Sequence, residues 1–358
     1  MILPIPKILL LKSFRSFGFP KVLPLNYTFL ISTACNSRCK TCRIYKQKHH
    51  ELSLDEWEKI LKSFGHSPFW ITLTGGEPFL NPNLVDLCRK IFTLCQPHIL
   101  TIPTNSLLWK TIPKKTETIL KRAEKTQVIL NLSLDGVGSK HDQIRGVKGS
   151  FIAFQKNYCL LKKLKNKYPN LTLGIHSVIS RFNAKDANNL FDYVFSLAPD
   201  QYITEIAEQR VELDTVGLKI TPSFQEYSKA INPLIQKLSA KKFKKLSKIT
   251  EAFRLEYYDF VKRWLKAEKI QMKDYAGWAS CEIASWGEVW PSCIHGINFG
   301  NLRNVNYDFS KIWFGKKAQN FRKKYKRCPE SFPLANAFYT NALMHFPTLI
   351  NVAKRILK

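Results

Sequence analysis

Six short apolar runs alternate with helical segments between residues 26 and 209, and this alternation limits the folds open to the chain. The predicted strands cover residues 26–32, 69–75, 98–105, 127–136, 171–180 and 201–209. Each run is almost continuously apolar, which is typical of strands buried on both faces. Strands that alternate with helices form a parallel sheet through right-handed crossovers. We therefore predict an α/β fold in which parallel strands form an open or partly closed barrel.

Polar or cysteine-rich segments follow the first four predicted strands. CNSRCKTC covers residues 35–42, GGEP covers 75–78, IPTNS covers 102–106 and SLDG covers 133–136. Ligands of parallel sheets bind at the carboxyl ends of the strands. We therefore expect these four segments to form one site.

The first segment places Cys35, Cys39 and Cys42 on one short loop. Their spacing is too tight for a disulfide framework and suits a loop around one inorganic group. A zinc site would need a fourth ligand, for which His49 and His50 are candidates. A [4Fe–4S] cluster normally takes four cysteines, so three would leave one iron open to a substrate. The spacing favours the cluster and leaves zinc as the alternative.

The order of these motifs resembles the radical S-adenosylmethionine (SAM) superfamily over about residues 26–215. Cys35-x3-Cys39-x2-Cys42 resembles its signature, and six strands agree with its partial (βα)6 TIM-like barrel. The resemblance implies that the three cysteines are catalytic and bind a [4Fe–4S] cluster that cleaves SAM reductively. The resulting 5′-deoxyadenosyl radical would take hydrogen from a substrate. A one-electron reductant such as flavodoxin or ferredoxin is the implied partner.

The resemblance also implies which residues contact SAM. Glu77 would accept a hydrogen bond from the amino group of SAM, and Ser133 and Asp135 would face its ribose. Arg145 would face its carboxylate, with a helix-end ion pair as the alternative. Val178 lies in the segment that would line the adenine. The full expected set is Thr41, Gly75, Gly76, Glu77, Pro78, Asn105, Ser133, Asp135, Arg145 and Val178.

The region of about residues 272–345 resembles the auxiliary-cluster domains called SPASM or twitch. The segments that carry this resemblance are GEVWPSC and GNL, followed by a short helix that ends in Ile-Trp. Cys281, Cys293 and Cys328 are the candidate ligands of a second iron–sulfur cluster. Asp274 stands where relatives commonly carry a cysteine, so the thiolate set is incomplete. The cluster could have an open iron or use Asp274, or the site could be decayed, with thiols that pack as small apolar groups.

The chain is expected to divide into four parts. These are an apolar and basic segment at 1–25, the barrel at 26–220, a basic helical connector at 221–272, and a small α+β SPASM/twitch-like extension with a C-terminal helix at 273–358. Three further cysteines on helix faces are expected in the core: Cys88, Cys95 and Cys159.

The formal net charge of +29 favours anionic partners, although lysines spread along the whole chain indicate solvated helix faces instead. Nine cysteines without framework pairing indicate a reducing compartment, hence the cytoplasm and an oxygen-sensitive cluster. No apolar run reaches the roughly 18–20 residues of a membrane span. Residues 1–19 predict a short amphipathic helix, packed on the body or lying on a membrane.

The predicted function is radical SAM chemistry on an unidentified peptide or protein, carbohydrate or cofactor precursor. Three polar residues at the end of the sixth strand are candidate substrate contacts, with a surface ion-pair cluster as the alternative: Glu205, Glu208 and Arg210. One alternative function is a membrane-surface enzyme that modifies a lipid or lipid-linked sugar, seated by the basic segments 241–269 and 342–358.

The other alternative function is a basic iron–sulfur protein that binds nucleic acid. Four aromatic residues interleave with basic ones and could stack on bases: Tyr257, Tyr258, Phe260 and Trp264. Their helical spacing favours a buried stripe, so we do not expect nucleic acid to be a partner.

Overall fold

The strands of the protein form one nine-stranded sheet. The computed structural model of the chain describes residues 4–240, 245–294, 296–327 and 332–357. Its strands are β1 (Asn26–Ser32), β2 (Trp70–Gly75), β3 (Ile99–Thr104), β4 (Gln127–Ser133), β5 (Leu171–Ile179), β6 (Gln201–Ile206), β7 (Ser280–Ile283), β8 (Glu288–Trp290) and β9 (Gly300–Asn301). Their order in the sheet is β6-β5-β4-β3-β2-β1-β7-β8-β9.

The described residues form α-helices before, between and after the strands. They are α1 (Ile5–Phe17), α2 (Leu54–Phe64), α3 (Leu84–Leu94), α4 (Ile112–Leu120), α5 (Ser139–Arg145), α6 (Ser150–Lys167), α7 (Ala187–Leu197), α8 (Phe224–Ala240), α9 (Lys245–Leu265), α10 (Phe309–Trp313), α11 (Lys316–Tyr325), α12 (Ala335–Met344) and α13 (Phe346–Leu357). Strands β1 to β6 are parallel and lie in chain order, which confirms the α/β fold and the partial TIM-like barrel.

The C-terminal extension joins the barrel rather than standing beside it. Strand β7 pairs in parallel with β1, on the edge opposite β2, and then continues into the antiparallel strands β8 and β9. Pairing with β7 covers an edge of β1 that would otherwise expose unpaired backbone groups. A four-residue strand so far from β1 in sequence gave no signal of this pairing.

The two faces of the sheet carry different residues because successive side chains on a strand point in opposite directions. On the outer face, the Tyr27 ring packs 4.8 Å from the Phe64 ring and 5.7 Å from the Phe309 ring, measured between centroids. On the inner face, Thr28 and Thr72 line the interior of the barrel. The outer face therefore forms the main core, and the inner face forms the wall of a cavity.

Helix α2 links the barrel to the C-terminal extension. Ser53 and Glu56 form a capping box, in which the Glu56 amide donates to Ser53 Oγ at 3.2 Å. The same Glu56 carboxylate pairs with Arg303 at 2.6 Å and accepts from the Tyr307 hydroxyl at 2.9 Å. These charge-assisted hydrogen bonds hold the pKa of Glu56 down, to about 2.

Of the three helix cysteines that were expected in the core, two are buried and one is not. Cys88 and Cys95 are fully buried, but Cys159 is exposed. Helix α6 buries a stripe that includes Phe154, Tyr158 and Leu161, and Cys159 lies on the other side of that helix. Three of the four residues in the predicted aromatic stripe of α9 are buried, Tyr257, Tyr258 and Phe260, and Trp264 is half-buried. These rings contact protein side chains and cannot stack on nucleic-acid bases.

The predicted N-terminal helix is present as α1. Its Leu11 and Phe14 side chains are buried, whereas Ile5, Leu9 and Phe17 are more than half exposed. Within the described ranges, the helices are all too short or too polar to cross a membrane.

Candidate active site

The cysteine loop, residues 35–42, is fastened to the end of α5. The Arg38 amide donates to the Arg145 carbonyl oxygen at 2.9 Å. Gly146 follows with φ of +65°, and a Cβ there would lie 2.3 Å from the Arg38 carbonyl oxygen. Only glycine allows this close approach. Arg145, the last residue of α5, and Gly146 after it therefore position the cysteine loop.

The GGEP segment is fastened to the residues that lead from β1 into the cysteine loop. A Cβ on Gly75 would lie 2.2 Å from the Ser32 carbonyl oxygen, and one on Gly76 would lie 2.0 Å from the Ala34 carbonyl oxygen. The Gly76 amide donates to the Ser32 oxygen at 2.8 Å. The two glycines are therefore required by the close approach of two backbone segments, a role that the sequence did not indicate.

Glu77 connects the end of β2 with the end of β3. Its buried carboxylate accepts hydrogen bonds from Thr104 Oγ1 at 2.8 Å, from the Asn105 amide at 2.7 Å and from the Phe79 amide at 3.2 Å. Burial raises the pKa of Glu77 to about 7 although these donors oppose the shift. Pro78 then begins a short 3₁₀ turn. Glu77 thus fixes the two strand ends relative to each other.

N–H groups point at the sulfur atoms of two loop cysteines. The Ser37 amide lies 3.4 Å from Cys35 Sγ, and Asn105 Nδ2 lies 3.9 Å from it. Arg145 Nη1 lies 3.4 Å from Cys39 Sγ. Donors of this kind stabilise thiolates and cluster ligands. The donor set therefore fits an anionic iron–sulfur group.

The three thiols also interact with one another. Burial, together with the nearby Cys39 and Cys35 sulfurs, raises the pKa of Cys42 to about 12. Burial likewise raises the pKa of Cys35. A metal group would displace these thiol protons on binding. The three thiols are thus close enough to influence one another electrostatically, which is compatible with one shared [4Fe–4S] cluster. His49 stacks on the Trp286 ring, with centroids 3.7 Å apart.

Asp135 and Arg145 form a buried ion pair between the fourth strand and the cysteine loop. Asp135 Oδ2 lies 2.9 Å from Arg145 Nε, and Asp135 Oδ1 accepts from the Val178 amide at 2.8 Å. Because Arg145 also contacts Cys39, its guanidinium links this carboxylate to the cluster loop. The helix-end ion pair expected as the alternative for Arg145 is therefore present. Ser133 lies half-buried at the end of β4, next to this pair in the chain.

Two further positions near the site have distinct environments. Ser106 is fully buried with φ of +67°, a region that glycine adopts without strain. Its hydroxyl accepts from Asn157 Nδ2 at 3.1 Å. Thr41 is half-buried between Lys40 and Cys42.

A cavity of about 240 Å³ occupies the inside of the barrel beside this site. Threonines of β1 to β3, Asn131, and residues of the loop after β6 and of the C-terminal extension line it. Arg210 lies at its wall and pairs with Glu205 at 3.4 Å and with Glu208 at 3.0 Å. Burial raises the pKa of Glu208 to about 7. These predicted polar residues therefore form a buried cluster, and the surface ion-pair alternative is wrong.

The two described cysteines of the C-terminal extension, Cys281 and Cys293, do not come together. Cys281 lies beside Tyr27 in the β1–β7 pairing, so its side chain belongs to the outer face. Cys293 follows β8 and faces the inner side, where it contacts Glu212 and Glu282. Cys328 lies outside the described residues. The described cysteines of this extension therefore do not fit one shared cluster.

Asp274, the expected unusual ligand, is part of a turn. Its Oδ1 accepts from the Ala276 amide at 3.0 Å and from Asn341 Nδ2 at 3.1 Å. Sequence reasoning missed Glu212 and Glu282. Alternation from Cys281 along β7 could have indicated an inward Glu282, but no sequence signal indicated Glu212.

Comparison with known proteins gives the same two parts. Residues 29–194 match the radical SAM superfamily, and residues 275–331 match an iron–sulfur cluster-binding domain, SPASM. The chain is similar to the sporulation killing factor maturation protein SkfB of Bacillus subtilis, with 28% identity over 48% of this chain and 39% of that protein. It is also similar to the subtilosin biosynthesis protein AlbA of the same organism, with 24% identity over 80% of this chain and 59% of AlbA. This chain thus spans less than two thirds of the length of either relative.

Solved structures share the fold at low sequence identity. The structure of anSMEcpe with bound AdoMet matches 93% of this chain and all of that chain, with a TM-score of 0.63 and 17% identity. Streptococcus suis SuiB bound to the precursor peptide SuiA matches 94% of this chain and 76% of that chain, with a TM-score of 0.62 and 16% identity. The family matches therefore identify residues 29–194 as a radical SAM domain and residues 275–331 as a SPASM domain.

Proposed function

We propose that the chain is a radical SAM enzyme that takes a hydrogen atom from a peptide held in the barrel cavity. The observation that carries the proposal is the attachment of the segment after the cysteine loop to the segment that holds Glu212 of the cavity wall. The Arg43 amide donates to the Leu213 carbonyl oxygen at 2.9 Å, and Gln47 Nε2 donates to the Glu212 carbonyl oxygen at 2.8 Å. Glu212 also interacts electrostatically with Cys42, so the cavity wall and the cysteine loop are neighbours.

A [4Fe–4S] cluster on Cys35, Cys39 and Cys42 would supply the electron that cleaves SAM to the species that abstracts hydrogen. The chain supplies position and charge. Arg145 directs a cationic guanidinium at Cys39, which favours the anionic form of the loop. Glu77 holds the ends of β2 and β3 in register beside that loop. Five of the SAM contacts proposed from the resemblance lie at these same strand ends: Gly75, Gly76, Glu77, Pro78 and Asn105.

The peptide class rests on the relatives and on the cavity. SkfB and AlbA are named for the maturation of a killing factor and the biosynthesis of a bacteriocin, and the SuiB structure holds a precursor peptide. The cavity here offers hydroxyl groups of Thr28, Thr72 and Thr101, which can hydrogen-bond to a peptide backbone. Carbohydrates and cofactor precursors are the competing substrate classes.

Isotope transfer tests the substrate class. The reconstituted full chain is incubated anaerobically with dithionite, SAM and a deuterated peptide pool, and 5′-deoxyadenosine is analysed by mass spectrometry. We expect deuterium in 5′-deoxyadenosine from the peptide pool and none from a deuterated carbohydrate pool. Deuterium that arrives only from the carbohydrate pool would contradict the peptide assignment.

The reductant is proposed to be a small acidic electron carrier of the flavodoxin or ferredoxin kind. The net charge of +29 supports docking of an acidic protein, because opposite charges accelerate association. SAM cleavage driven by reduced flavodoxin should then slow steeply as salt increases. Cleavage that is independent of salt would contradict this docking mode.

Peripheral membrane contact is proposed for helix α1. Ile5, Leu9, Phe17 and Phe19 expose more than half of their side chains near Lys12 and Lys21. Native protein should sediment with phosphatidylserine vesicles, and Leu9→Glu with Phe17→Glu should reduce the bound fraction several-fold. Equal sedimentation of both proteins would contradict the contact.

A further inference from the structure

Three buried side chains converge at the cavity wall, outside the cysteine loop. Glu212 comes from the loop after β6, Glu282 from β7 and Cys293 from the turn after β8. One potential ligand atom from each lies within 4.8 Å of the other two. The group therefore joins the barrel to the SPASM domain through side chains that can bind a metal.

The Glu282 carboxylate is incompletely satisfied in this position. Glu282 is 3% exposed, and its Oε1 atom has no hydrogen-bond partner. The residue pairs with Thr28 in the β1–β7 register, and both line the cavity, so the carboxylate points inward toward Glu212 and Cys293. A buried carboxylate oxygen without a donor is costly, and a bound cation removes that cost.

The surrounding charge also favours a cation. Arg210 is the nearby guanidinium, and it already pairs with Glu205 and Glu208. Glu212 and Glu282 are as deeply buried as Cys293, at 5%, 3% and 4% exposure. These three side chains can each carry a negative charge. The nearby cation, Arg210, already neutralises part of the charge of two further carboxylates. A divalent ion would balance that excess.

We propose that Glu212, Glu282 and Cys293 bind one divalent transition-metal ion, zinc or ferrous iron. One thiolate with two carboxylates suits these borderline metals. Three protein ligands leave a position open toward the cavity, as catalytic zinc sites do. A four-thiolate cluster does not fit, because Cys281 points to the opposite face of the sheet.

The site would act on the substrate of the proposed function. Its open position faces the cavity, and Glu212 also lies close to Cys42 of the cysteine loop. An oxygen or sulfur atom of a peptide bound to the ion would therefore be held near the proposed radical chemistry. This substrate role rests on the proposed function, whereas metal binding itself does not.

Zinc content tests the site in the full chain. Anaerobically reconstituted protein, in which iron and sulfide already occupy the cysteine loop, is loaded with zinc, dialysed, and analysed for metal by mass spectrometry. We expect about one tightly held zinc per chain in native protein and in the control Cys281→Ala. Glu282→Gln and Cys293→Ser should each lower zinc affinity at least 10-fold, since each removes one of three ligands. Cobalt loading should add a thiolate charge-transfer band that Cys293→Ser alone removes and Cys281→Ala retains.

Two results would overturn the site. The first is native protein that holds neither zinc nor ferrous iron tightly. The second is metal affinity that Glu282→Gln leaves unchanged. Iron with equimolar acid-labile sulfide that disappears in Cys293→Ser would place a cluster there and also overturn it. Glu282→Gln changes shape little, so a misfolded Cys293→Ser protein would not leave the question open. Failure of the isotope-transfer test would leave these metal measurements valid.

Discussion

The two cysteine sets of the chain differ in how their positions are fixed. Cys35, Cys39 and Cys42 lie on one loop that backbone hydrogen bonds fasten to α5 and to the end of β2. Cys281 and Cys293 lie on separate segments whose side chains point to opposite faces of the sheet. A loop brings its own cysteines together, whereas separate segments do so only when strand direction and register permit.

This difference explains why a sequence motif predicts a cluster site more reliably for the cysteine loop than for the cysteines of the C-terminal extension. The cysteine loop of a radical SAM barrel needs only its three thiols and the glycines that let neighbouring segments approach. The SPASM set needs a fourth thiolate and a common face, and this chain has carboxylates at the common face instead. Two carboxylates beside a single thiol change the metal preference from a cluster toward a single ion.

The largest effect is expected from Gly76→Ala. Its Cβ would lie 2.0 Å from the Ala34 backbone oxygen, so the cysteine loop must move. We expect at least 100-fold less SAM cleavage, measured as 5′-deoxyadenosine, which would show that backbone contacts position the loop. The matched control is Gly149→Ala, which has φ of +83° but open space, and should cost only about 1 kcal/mol of stability. Normal cleavage by Gly76→Ala would contradict this role.

The next effect concerns the ion pair that links Asp135 to the cysteine loop. Arg145→Gln would leave a 2% exposed carboxylate unpaired, so the free energy of unfolding should fall by about 3–5 kcal/mol. The exposed pair Lys140–Asp186 provides the control, and Lys140→Gln should cost about 0–1 kcal/mol. Urea unfolding of the full chain measures both. Equal losses would mean that the buried pair contributes no more than a surface pair.

Attachment of the SPASM domain to the barrel gives a smaller, pH-dependent effect. The pKa of Glu56, held near 2 by Arg303 and Tyr307, lies below the usual value of 4.5. Its stabilisation is therefore present above about pH 4.5 and is lost as the pH falls toward 2. Glu56→Gln should cost about 1 kcal/mol at pH 7, allowing for solvent screening.

Thermal unfolding of native protein and Glu56→Gln between pH 7 and pH 3 measures this difference. The two unfolding temperatures should converge as the pH falls. A difference that stays constant over this range would show that the ionised carboxylate is not responsible.

The smallest effect is expected from Cys281→Ala. The thiol lies in the apolar outer layer beside Tyr27, where burial raises its pKa. Its loss should cost about 1 kcal/mol of stability and leave iron content unchanged. Loss of iron from this variant would mean that Cys281 is a cluster ligand, and the contrast between the two cysteine sets would fail.

The sequence predicted the barrel well because its strands are buried on both faces. Continuous apolar runs located all six barrel strands to within three residues at each end, and the capping pattern located the start of α2. The cysteine loop was equally predictable, since three thiols within eight residues must lie close in space.

Long-range pairing was not predictable. The short β7 carries no signal that it joins β1 more than two hundred residues earlier in the chain, and this register decides which of Cys281 and Glu282 faces the cavity. Cys159 was misplaced because its helix has apolar residues on both sides of the buried stripe, including the exposed Ile152. Both cases depend on tertiary packing that local spacing does not encode.

The most direct test of the account compares iron content and SAM cleavage in three anaerobically reconstituted proteins. These are the native chain, Cys281→Ala, and the triple variant Cys35→Ala, Cys39→Ala, Cys42→Ala. We predict that the triple variant loses about four iron atoms per chain together with all 5′-deoxyadenosine formation, while Cys281→Ala retains both. A triple variant that still cleaves SAM would contradict the assignment of the cysteine loop as the catalytic centre.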